Sequence, residues 1–287
     1  MQDIKHKTNW RVKAIFSIGV HIKDISILED IKFTLDVGNI HKHGKNSVQY
    51  RVESIKELQT IINHFDKYNL ITAKLSDYLL FKKAFNLIKL KEHLSEKGLL
   101  KLVAIKASIN LGLPNNLKEA FPIITPIERP KYIFNGITDP YWLAGFSSGD
   151  GSFDIKISSS KTSKLGSRVQ LRFSIGLNIR DVELIKYLVT YFNLGYSTDF
   201  NTPAIKNDNI KYVYITDNFV NLQVINYSDI MYKIIPFFEK YLILGNKSLD
   251  FEDFKKVANI IKNKEHLTSK GFNNIKNIKT GMNRGRI

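Results

Sequence analysis

Apolar and polar residues alternate along two stretches of the chain, one in each half. In residues 11–20 the apolar positions are Val12, Ala14, Phe16, Ile18 and Val20. In residues 168–177 they are Val169, Leu171, Phe173, Ile175 and Leu177. Side chains of a strand point alternately to its two faces, so this period of two predicts half-buried antiparallel strands.

The two stretches belong to an internal repeat. RVKAIFSIGVHIKD (Arg11–Asp24) matches RVQLRFSIGLNIRD (Arg168–Asp181) at an offset of 157, with eight of fourteen positions identical. Further along, at an offset of 173, Lys74 pairs with Lys247. The larger offset predicts a longer loop in the second copy, around Tyr196–Asn209. A repeat of this length predicts two lobes of like fold.

The pattern in the remaining segments predicts an α+β fold class, in which each lobe is an antiparallel sheet covered by helices. Helices are predicted over Asp24–Leu35 and Asp181–Phe192, each with an Asp as N-cap and with Gly38 or Gly195 near its C-terminal end. Strands are predicted over Val48–Val52 and Lys211–Thr216. Mostly helical structure is predicted over Ile55–Phe65, Tyr78–Leu90, Phe219–Asn226 and Phe251–Ile261.

Prolines mark the boundary between the lobes. Four of the seven prolines lie in Asn110–Thr138, and proline disfavours helix both at its own position and in the residue before it. This composition predicts an extended linker over residues 110–138. The N-terminal lobe then covers residues 1–109 and the C-terminal lobe residues 139–287.

A helix rich in small residues opens the second lobe. Asp139 and Pro140 suit the N-cap and first position of a helix over Tyr141–Gly151. Small residues three and four apart give that helix a bare face that another helix backbone can approach: Ala144, Gly145, Ser148 and Gly149. A strand is predicted to follow, over Ser152–Ser158.

Asp150 stands at the C-terminal end of this predicted helix. The end of a helix dipole is negative there, so a carboxylate is unfavourable unless a cation offsets it. Mg²⁺ and Ca²⁺ prefer such oxygen ligands. From these residues alone the favoured interpretation is an ordinary Asp in a turn between two glycines, because that arrangement is very common.

The charge of the chain favours a polyanionic partner. It carries 43 Lys and Arg against 27 Asp and Glu, a net charge of +16, although codon bias in an AT-rich gene also inflates lysine. There is no cysteine, which excludes a disulfide framework, a thiolate zinc site and a cysteine nucleophile. No long apolar run or signal-peptide core is present, so no membrane partner is expected.

The segment LAGFSSGDG (Leu143–Gly151) resembles the signature of the LAGLIDADG homing endonucleases and their maturase relatives. The resemblance extends to Arg168–Asp181 and to the matched tails Leu94–Asn110 and Leu267–Asn283. It is greatest with the single-chain, two-lobe group of fungal mitochondrial introns. It implies two signature helices packed together, each delivering one acid to a metal-bound cleft, and one sheet of each lobe in the DNA major groove.

The resemblance also implies roles for individual residues. Asp150 corresponds to the catalytic, metal-binding acid, with Mg²⁺ as cofactor and Ca²⁺ able to substitute without cleavage. Lys247 and Lys74 correspond to lysines near the scissile phosphates, although either could be an ordinary surface cation. The residues implied to contact DNA are Arg11, Lys13, Gln49, Arg51, Lys156, Ser158, Ser160, Arg168, Gln170 and Arg172.

One part of the family pattern is missing. Subtracting the repeat offset from position 150 gives a position before Met1, so the first signature helix, its acid and the first strand are expected to be absent from the N-terminal lobe. Ser147 also stands where the family commonly has another acid. Three explanations stay open: the sequence begins late, a second polypeptide or second copy docks on helix 141–151, or cleavage has been lost.

The sequence therefore predicts a mitochondrial, site-specific endonuclease that hydrolyses double-stranded DNA at a long target with Mg²⁺. The alternative is a non-cleaving RNA-binding protein of the same descent, which binds intron RNA as a maturase or belongs to a ribonucleoprotein. A structural module with a fortuitous motif is the third hypothesis.

Overall fold

The computed structural model describes residues 8–195 and 212–286. The chain divides into two compact units, Met1–Asn135 and Gly136–Ile287. Each is α+β, with helices packed on an antiparallel sheet, as the hydrophobic pattern predicted. Within the described ranges no helix has the length and apolar character needed to cross a bilayer.

The first unit contains a three-stranded sheet in the order β1-β3-β2. Its strands are β1 (Phe16–His21), β2 (Asn39–Lys42) and β3 (Ser47–Val52). Its helices are α1 (Ile25–Leu35), α2 (Ile55–Lys67), α3 (Lys74–Lys89), α4 (Glu96–Ser108) and α5 (Asn115–Ala120). The core joins Tyr50 of β3 to Leu28, Leu58 and Phe85 of the helices, all almost fully buried.

The second unit contains a four-stranded sheet in the order β4-β5-β7-β6. Its strands are β4 (Gly151–Ser159), β5 (Ser167–Asn178), β6 (Val213–Ile215) and β7 (Phe219–Val224). Its helices are α6 (Pro140–Asp150), α7 (Val182–Tyr191), α8 (Tyr227–Asp229), α9 (Ile235–Lys240), α10 (Asn246–Lys262) and α11 (Ser269–Thr280). Phe153, Phe173, Phe238 and Phe254 form an aromatic core between the sheet and the helices.

The predicted alternation of the strands is confirmed. Ala14 is buried and Arg11, Lys13 and Ser17 are exposed, although strand geometry begins only at Phe16. In the second unit Leu171 is buried on the inner face of β5 while Arg168 is exposed on the other face. Inward apolar residues thus determine which face of each sheet is left for polar groups.

The prediction for Phe219–Asn226 is wrong, because this stretch contains strand β7. Val220, Leu222 and Val224 are completely buried and alternate with more exposed residues, a period of two rather than of a helix. Short apolar runs are ambiguous between helix and strand, and pairing with β5 decides here. Strand β2 was not predicted.

The predicted N-cap positions of α1 and α7 are confirmed at Asp24 and Asp181, but the predicted C-cap glycines are wrong. Asp24 and Asp181 precede α1 and α7 but make no side-chain capping hydrogen bond. Single 3₁₀ turns come first, and His21 and Asn178 cap those turns by accepting from Lys23 N and Arg180 N. Helix α1 ends at left-handed Asp36 and α7 at Phe192, so Gly38 and Gly195 lie beyond the caps.

The stretch predicted as an extended linker contains helix α5. Leu117 of this helix and Phe121 after it pack against Leu99 and Val103 of α4. Apolar side chains of the stretch therefore bury themselves on the first unit, and the prediction of extended chain fails for this part. The predicted long loop, Tyr196–Asn209, and Lys211 lie outside the described residues.

The internal repeat appears as a repeated topology. Strands β1, β2 and β3 of the first unit correspond to β5, β6 and β7 of the second, joined in the same order. Gly19 pairs with Gln49 in the first sheet, and its repeat partner Gly176 pairs with Asn221 in the second. Over its described residues the first unit shows no counterpart of α6 and β4.

Candidate catalytic site and nucleic-acid interface

Helix α6 begins as its sequence predicts. The carboxylate of Asp139 accepts a hydrogen bond from Tyr141 N at 2.8 Å, and Pro140 occupies the first helical position. Leu143, Ala144 and Ser147 are buried in the second unit. These contacts fix the rotation of the helix and leave Asp150 at its last position, directly before β4.

The small residues of α6 do not form one open face. A Cβ built on Gly145 or Gly149 meets no described atom within 4 Å, so these two glycines border open space. Ala144 points inward, with an exposure of 2%. Ser148 donates its hydroxyl to Ala144 O at 2.8 Å and accepts from Leu244 N at 2.9 Å. Of the four predicted interface residues, Gly145 and Gly149 are therefore the two that border open space, and the helix interface itself stays a prediction.

Lys247 lies at the C-terminal end of α6. Its Nζ donates to the carbonyl oxygen of Gly149 at 2.7 Å and of Ser147 at 3.3 Å. Helix α10 starts one residue before Lys247, after Gly245, whose φ of 68° and ψ of −160° are accessible to glycine and strained for other residues. Leu244 N in this turn donates to the hydroxyl oxygen of Ser148, and the turn thereby places Lys247 at the C-terminal end of α6.

The carboxylate of Asp150 has no hydrogen-bond or ion-pair partner among the described residues. The residue is exposed at the helix terminus. Partial desolvation raises the pKa of its carboxyl group, and the charge of Lys247 opposes that shift without reversing it. The site therefore holds an acceptor-only group next to a cation, with its oxygens open to a ligand.

The donor set around Asp150 is compatible with a Mg²⁺ ion that keeps most of its water. In the described part of the chain no three His, Cys, Asp or Glu residues gather as a complete metal site. Mg²⁺ is commonly held by one or two carboxylates together with waters and substrate phosphates. A single open carboxylate fits that mode and does not fit a closed structural site.

Lys74 occupies the repeat position of Lys247 but has different partners. Its Nζ lies 2.6 Å from Asn110 Oδ1 and 3.4 Å from Asp77 Oδ2. Both partners belong to the first unit: Asn110 lies just after α4, and Asp77 lies at the start of α3. The matched lysines therefore share a place in the fold, and among the described residues only Lys247 caps a signature helix within its own unit.

Two buried aspartates next to the lysines escaped the sequence reasoning. Asp250 accepts from Asn283 N at 2.9 Å and from Arg286 Nε at 3.0 Å. Asp77 accepts from Asn110 N at 3.1 Å and from Arg129 Nη1 at 2.7 Å. The signal was present in the repeat, because Asp77 and Asp250 share the offset of 173 found for the lysines.

The outward face of the second sheet carries five of the ten predicted DNA-contacting residues. In the β4–β5 register Lys156 is opposite Gln170, and Ser158 is opposite Arg168. Arg172 is opposite Asp154 and forms an ion pair with it. Ser160 lies past the end of β4, in the hairpin turn closed by its N–H bond to Gly166 O. Residues of this face that the sequence analysis missed are Asp154, Tyr214, Asn221 and Gln223.

The predicted residues of the first unit divide between a strand and an irregular segment. Gln49 and Arg51 lie on the outward face of β3. Arg11 and Lys13 precede β1 and are not in a strand. Glu53 forms ion pairs with both Arg51 and Lys13. Its pKa is lowered, first by the hydrogen bond from Lys13 and further by the charges of the two cations.

Comparison with known proteins assigns the chain to a family. The family model for the LAGLIDADG endonuclease matches residues 1–85 and 143–258. The chain belongs to the LAGLIDADG endonuclease family. Helix α6, with LAGFSSGDG ending on Gly151, is accordingly a LAGLIDADG helix, and its terminal acid is Asp150.

Curated relatives of this LAGLIDADG protein are intron-encoded. The probable intron-encoded endonucleases 3 and 2 of Neurospora crassa are 38% identical over 272 residues and 37% identical over 295 residues. These matches cover 94% and 98% of this chain, but only 48% and 61% of the relatives. The chain thus spans about half of the first relative and three fifths of the second.

Solved structures of the family share the fold. The LAGLIDADG meganuclease I-CpaMI bound to uncleaved DNA is 55% identical, with a TM-score of 0.92 over 99% of this chain and 92% of that chain. The I-SmaMI homing endonuclease bound to cleaved DNA is 44% identical, with a TM-score of 0.89 over 100% and 91% of the two chains. I-SmaMI has also been solved on its uncleaved target with calcium ions, at 43% identity, a TM-score of 0.90 and coverage of 98% and 92%.

Proposed function

We propose that this chain is a site-specific homing endonuclease that hydrolyses phosphodiester bonds of double-stranded DNA at a long target site, with Mg²⁺ as cofactor. The observation that carries the proposal is the end of α6. There the carboxylate of Asp150 is open and partly desolvated, and Lys247 lies beside it on the carbonyl of Gly149.

Asp150 would hold the metal ion through its open carboxylate oxygens. When bound, a divalent cation supplies Lewis-acid stabilisation of the phosphate and a more acidic water. The calcium complex of I-SmaMI with uncleaved DNA supports a divalent site in the family. Ca²⁺ is expected to support binding here without cleavage.

Lys247 would stabilise the negative charge that develops on the phosphate. A fixed ammonium in a partly desolvated site is far more effective than one in bulk water, because its orientation needs no rearrangement during the reaction. We assign the same class of role to Lys74 by its repeat position. I-SmaMI has been solved with lysines replaced by alanine, singly and together.

The outward faces of the sheets would contact the target. Arg, Lys, Gln and Ser side chains on strands donate to base edges and phosphates of the major groove. The net charge of +16 favours association through counterion release. DNA-bound neighbours of the same fold support this assignment. The intron-encoded fungal relatives support a mitochondrial location.

Cleavage of the intronless allele tests the proposal. The chain is incubated with a plasmid that carries the uninterrupted exon junction of its host gene, in Mg²⁺, in Ca²⁺ and in EDTA. We expect one double-strand cut in Mg²⁺, binding without cutting in Ca²⁺, and no cut by Asp150→Asn. The matched control is Asp30→Asn, an exposed acid of α1, which should cut normally.

The RNA-binding alternative makes the opposite prediction in a parallel experiment. Affinity for the intron RNA and for the exon-junction duplex is compared at one fixed salt concentration, since phosphate contacts dominate both. A chain that prefers the RNA and cuts neither DNA strand contradicts the proposal. A cut that survives Asp150→Asn contradicts the assignment of that acid while leaving an endonuclease.

A further inference from the structure

Asp154 is the one acidic residue in the seven strands of the described chain. It lies on the outward face of β4, next to Ser152 and Lys156 on the same side. We have proposed that this face contacts DNA. A carboxylate there repels phosphates and weakens binding to every sequence, so its presence requires a compensating interaction.

The compensating interaction is with Arg172. The two residues are directly opposite in the β4–β5 register, and Arg172 Nη2 lies 2.5 Å from Asp154 Oδ2. Their side chains are 35% and 27% exposed, so the ion pair lies against the sheet and is partly shielded from water. Arg172 makes no other hydrogen bond to a described residue, so its Nε, its Nη1 and the second hydrogen of Nη2 can still donate to a ligand.

This geometry determines the orientation of the guanidinium group. A surface arginine samples many rotamers, and ordering such a side chain on binding costs conformational entropy. An arginine already held by a carboxylate has lost most of that freedom before DNA arrives. Its planar fork then matches the O6 and N7 acceptors of guanine, the most common specific contact in the major groove.

The acidic residue near the outward face of the first sheet, Glu53, has a different number of partners from Asp154. Glu53 follows the end of β3 and binds two cations, Arg51 and Lys13, so its carboxylate is shared. Asp154 binds one arginine in the middle of a regular strand pair.

We propose that Asp154 is a specificity-determining residue that holds Arg172 in the orientation needed to recognise one guanine of the target. The inference rests on the proposed function and deepens it. Asp154 acts through Arg172 and is therefore a positioning residue. Its removal is expected to lower discrimination at one base pair while raising affinity for unrelated DNA, because one negative charge leaves the interface.

Selection from random duplexes tests this inference and does not require the target sequence to be known. The full chain is bound in Ca²⁺ to a pool of random-sequence duplex DNA, and the retained sequences are determined. The proteins compared are the wild type, Asp154→Asn, Arg172→Ala and the charge-matched control Glu183→Gln, on the helix-covered side of the same unit. Affinity for one unselected duplex of fixed sequence is measured in parallel.

We expect the wild type and Glu183→Gln to enrich one consensus. Arg172→Ala should lose the preference for a G·C pair at one position. Asp154→Asn should weaken that same preference about 10-fold to 100-fold. It should also bind the unselected duplex more tightly than the wild type does, which shows that it is folded. An effect on one position separates this role from a general loss of stability.

Two results overturn the inference, and they are distinguishable. In the first, the wild type and Asp154→Asn enrich the same consensus with equal preference at every position. Asp154 then does not determine specificity, and the proposed function stands. If the wild type enriches no sequence at all, site-specific DNA recognition fails and the inference fails with it.

Discussion

The ammonium nitrogen of Lys247 lies 2.7 Å from the carbonyl oxygen of Gly149, the residue before Asp150. The contact places a positive charge at the negative end of the LAGLIDADG helix. It also brings two residues separated by almost one hundred positions to the same helix end.

Replacing Lys247 by Met should reduce cleavage much more than binding. Loss of one charged donor at a developing phosphate charge typically lowers the rate by about 10² to 10³. Single-turnover cleavage in Mg²⁺ and affinity in Ca²⁺ measure the two effects separately. Lys262→Met, at the exposed end of the same helix, is the matched control. Cleavage by Lys247→Met at the wild-type rate would contradict the assigned role.

Asp150 should make the metal-free protein less stable at neutral pH. The pKa of Asp150 is raised in the folded protein. As pH rises, its carboxyl group therefore ionises first in the unfolded chain, at about pH 3.9. Stability therefore falls as pH rises from that value through the raised pKa. Asp150→Asn should melt at a higher temperature than the wild type in EDTA at pH 7, and Asp30→Asn should match the wild type.

Divalent metal should reverse the order of these melting temperatures. Ca²⁺ at 100 times its dissociation constant stabilises a protein that binds it by about 2.7 kcal/mol. We expect that gain for the wild type and not for Asp150→Asn. The gain should decline as pH falls through the raised pKa, since protonation removes the ligand. Equal calcium stabilisation of both proteins would place the metal elsewhere.

The buried group around Asp250 should be important for folding. Arg286 bonds both Asp250 and Asp253, and Asp250 is only 6% exposed. Removing one partner of a buried ion pair costs about 3–5 kcal/mol, so Arg286→Met should lower the free energy of unfolding by an amount of that order. Denaturant titration measures it, with exposed Arg284→Met as the control.

Acid should reduce the contribution of this group. Desolvation acts to raise the pKa of Asp253, but hydrogen bonds from Lys256 and Arg286 outweigh it and lower the pKa. A lowered carboxyl pKa stabilises the fold above the unfolded value of about 3.9, and the benefit is lost as pH falls through the folded value. The stability difference between the wild type and Arg286→Met should therefore shrink below about pH 4. A constant difference would indicate a packing effect.

Lys156 should contribute to DNA binding without sequence preference. It is exposed on the outward face of β4, opposite Gln170. Lys156→Ala should weaken binding to all duplexes similarly and reduce the slope of log K against log salt by about 1. Lys186→Ala, on α7, is the control. An unchanged salt slope for Lys156→Ala would show that this side chain does not contact a phosphate.

Much of the architecture could be predicted from local pattern. The repeat placed matching strands at β1 and β5, and alternation identified their buried faces, including Phe173. Asp139 and Pro140 correctly marked the start of α6. Errors arose where local pattern is ambiguous. Strand β7 is short enough that its apolar run also fits a helix, and the proline-rich segment hides the apolar contacts of Leu117.

By itself, the sequence determined the family, the two-lobe repeat and the polar faces, because motif spacing and periodicity are local properties of the chain. It also identified Asp150 and Lys247 as candidates. Only the tertiary structure decided their partners. Lys247 on Gly149, Arg286 on Asp250 and Arg172 on Asp154 are contacts set by strand register and helix rotation. No periodic signal encodes them, since each joins side chains from separate elements whose packing brings them together.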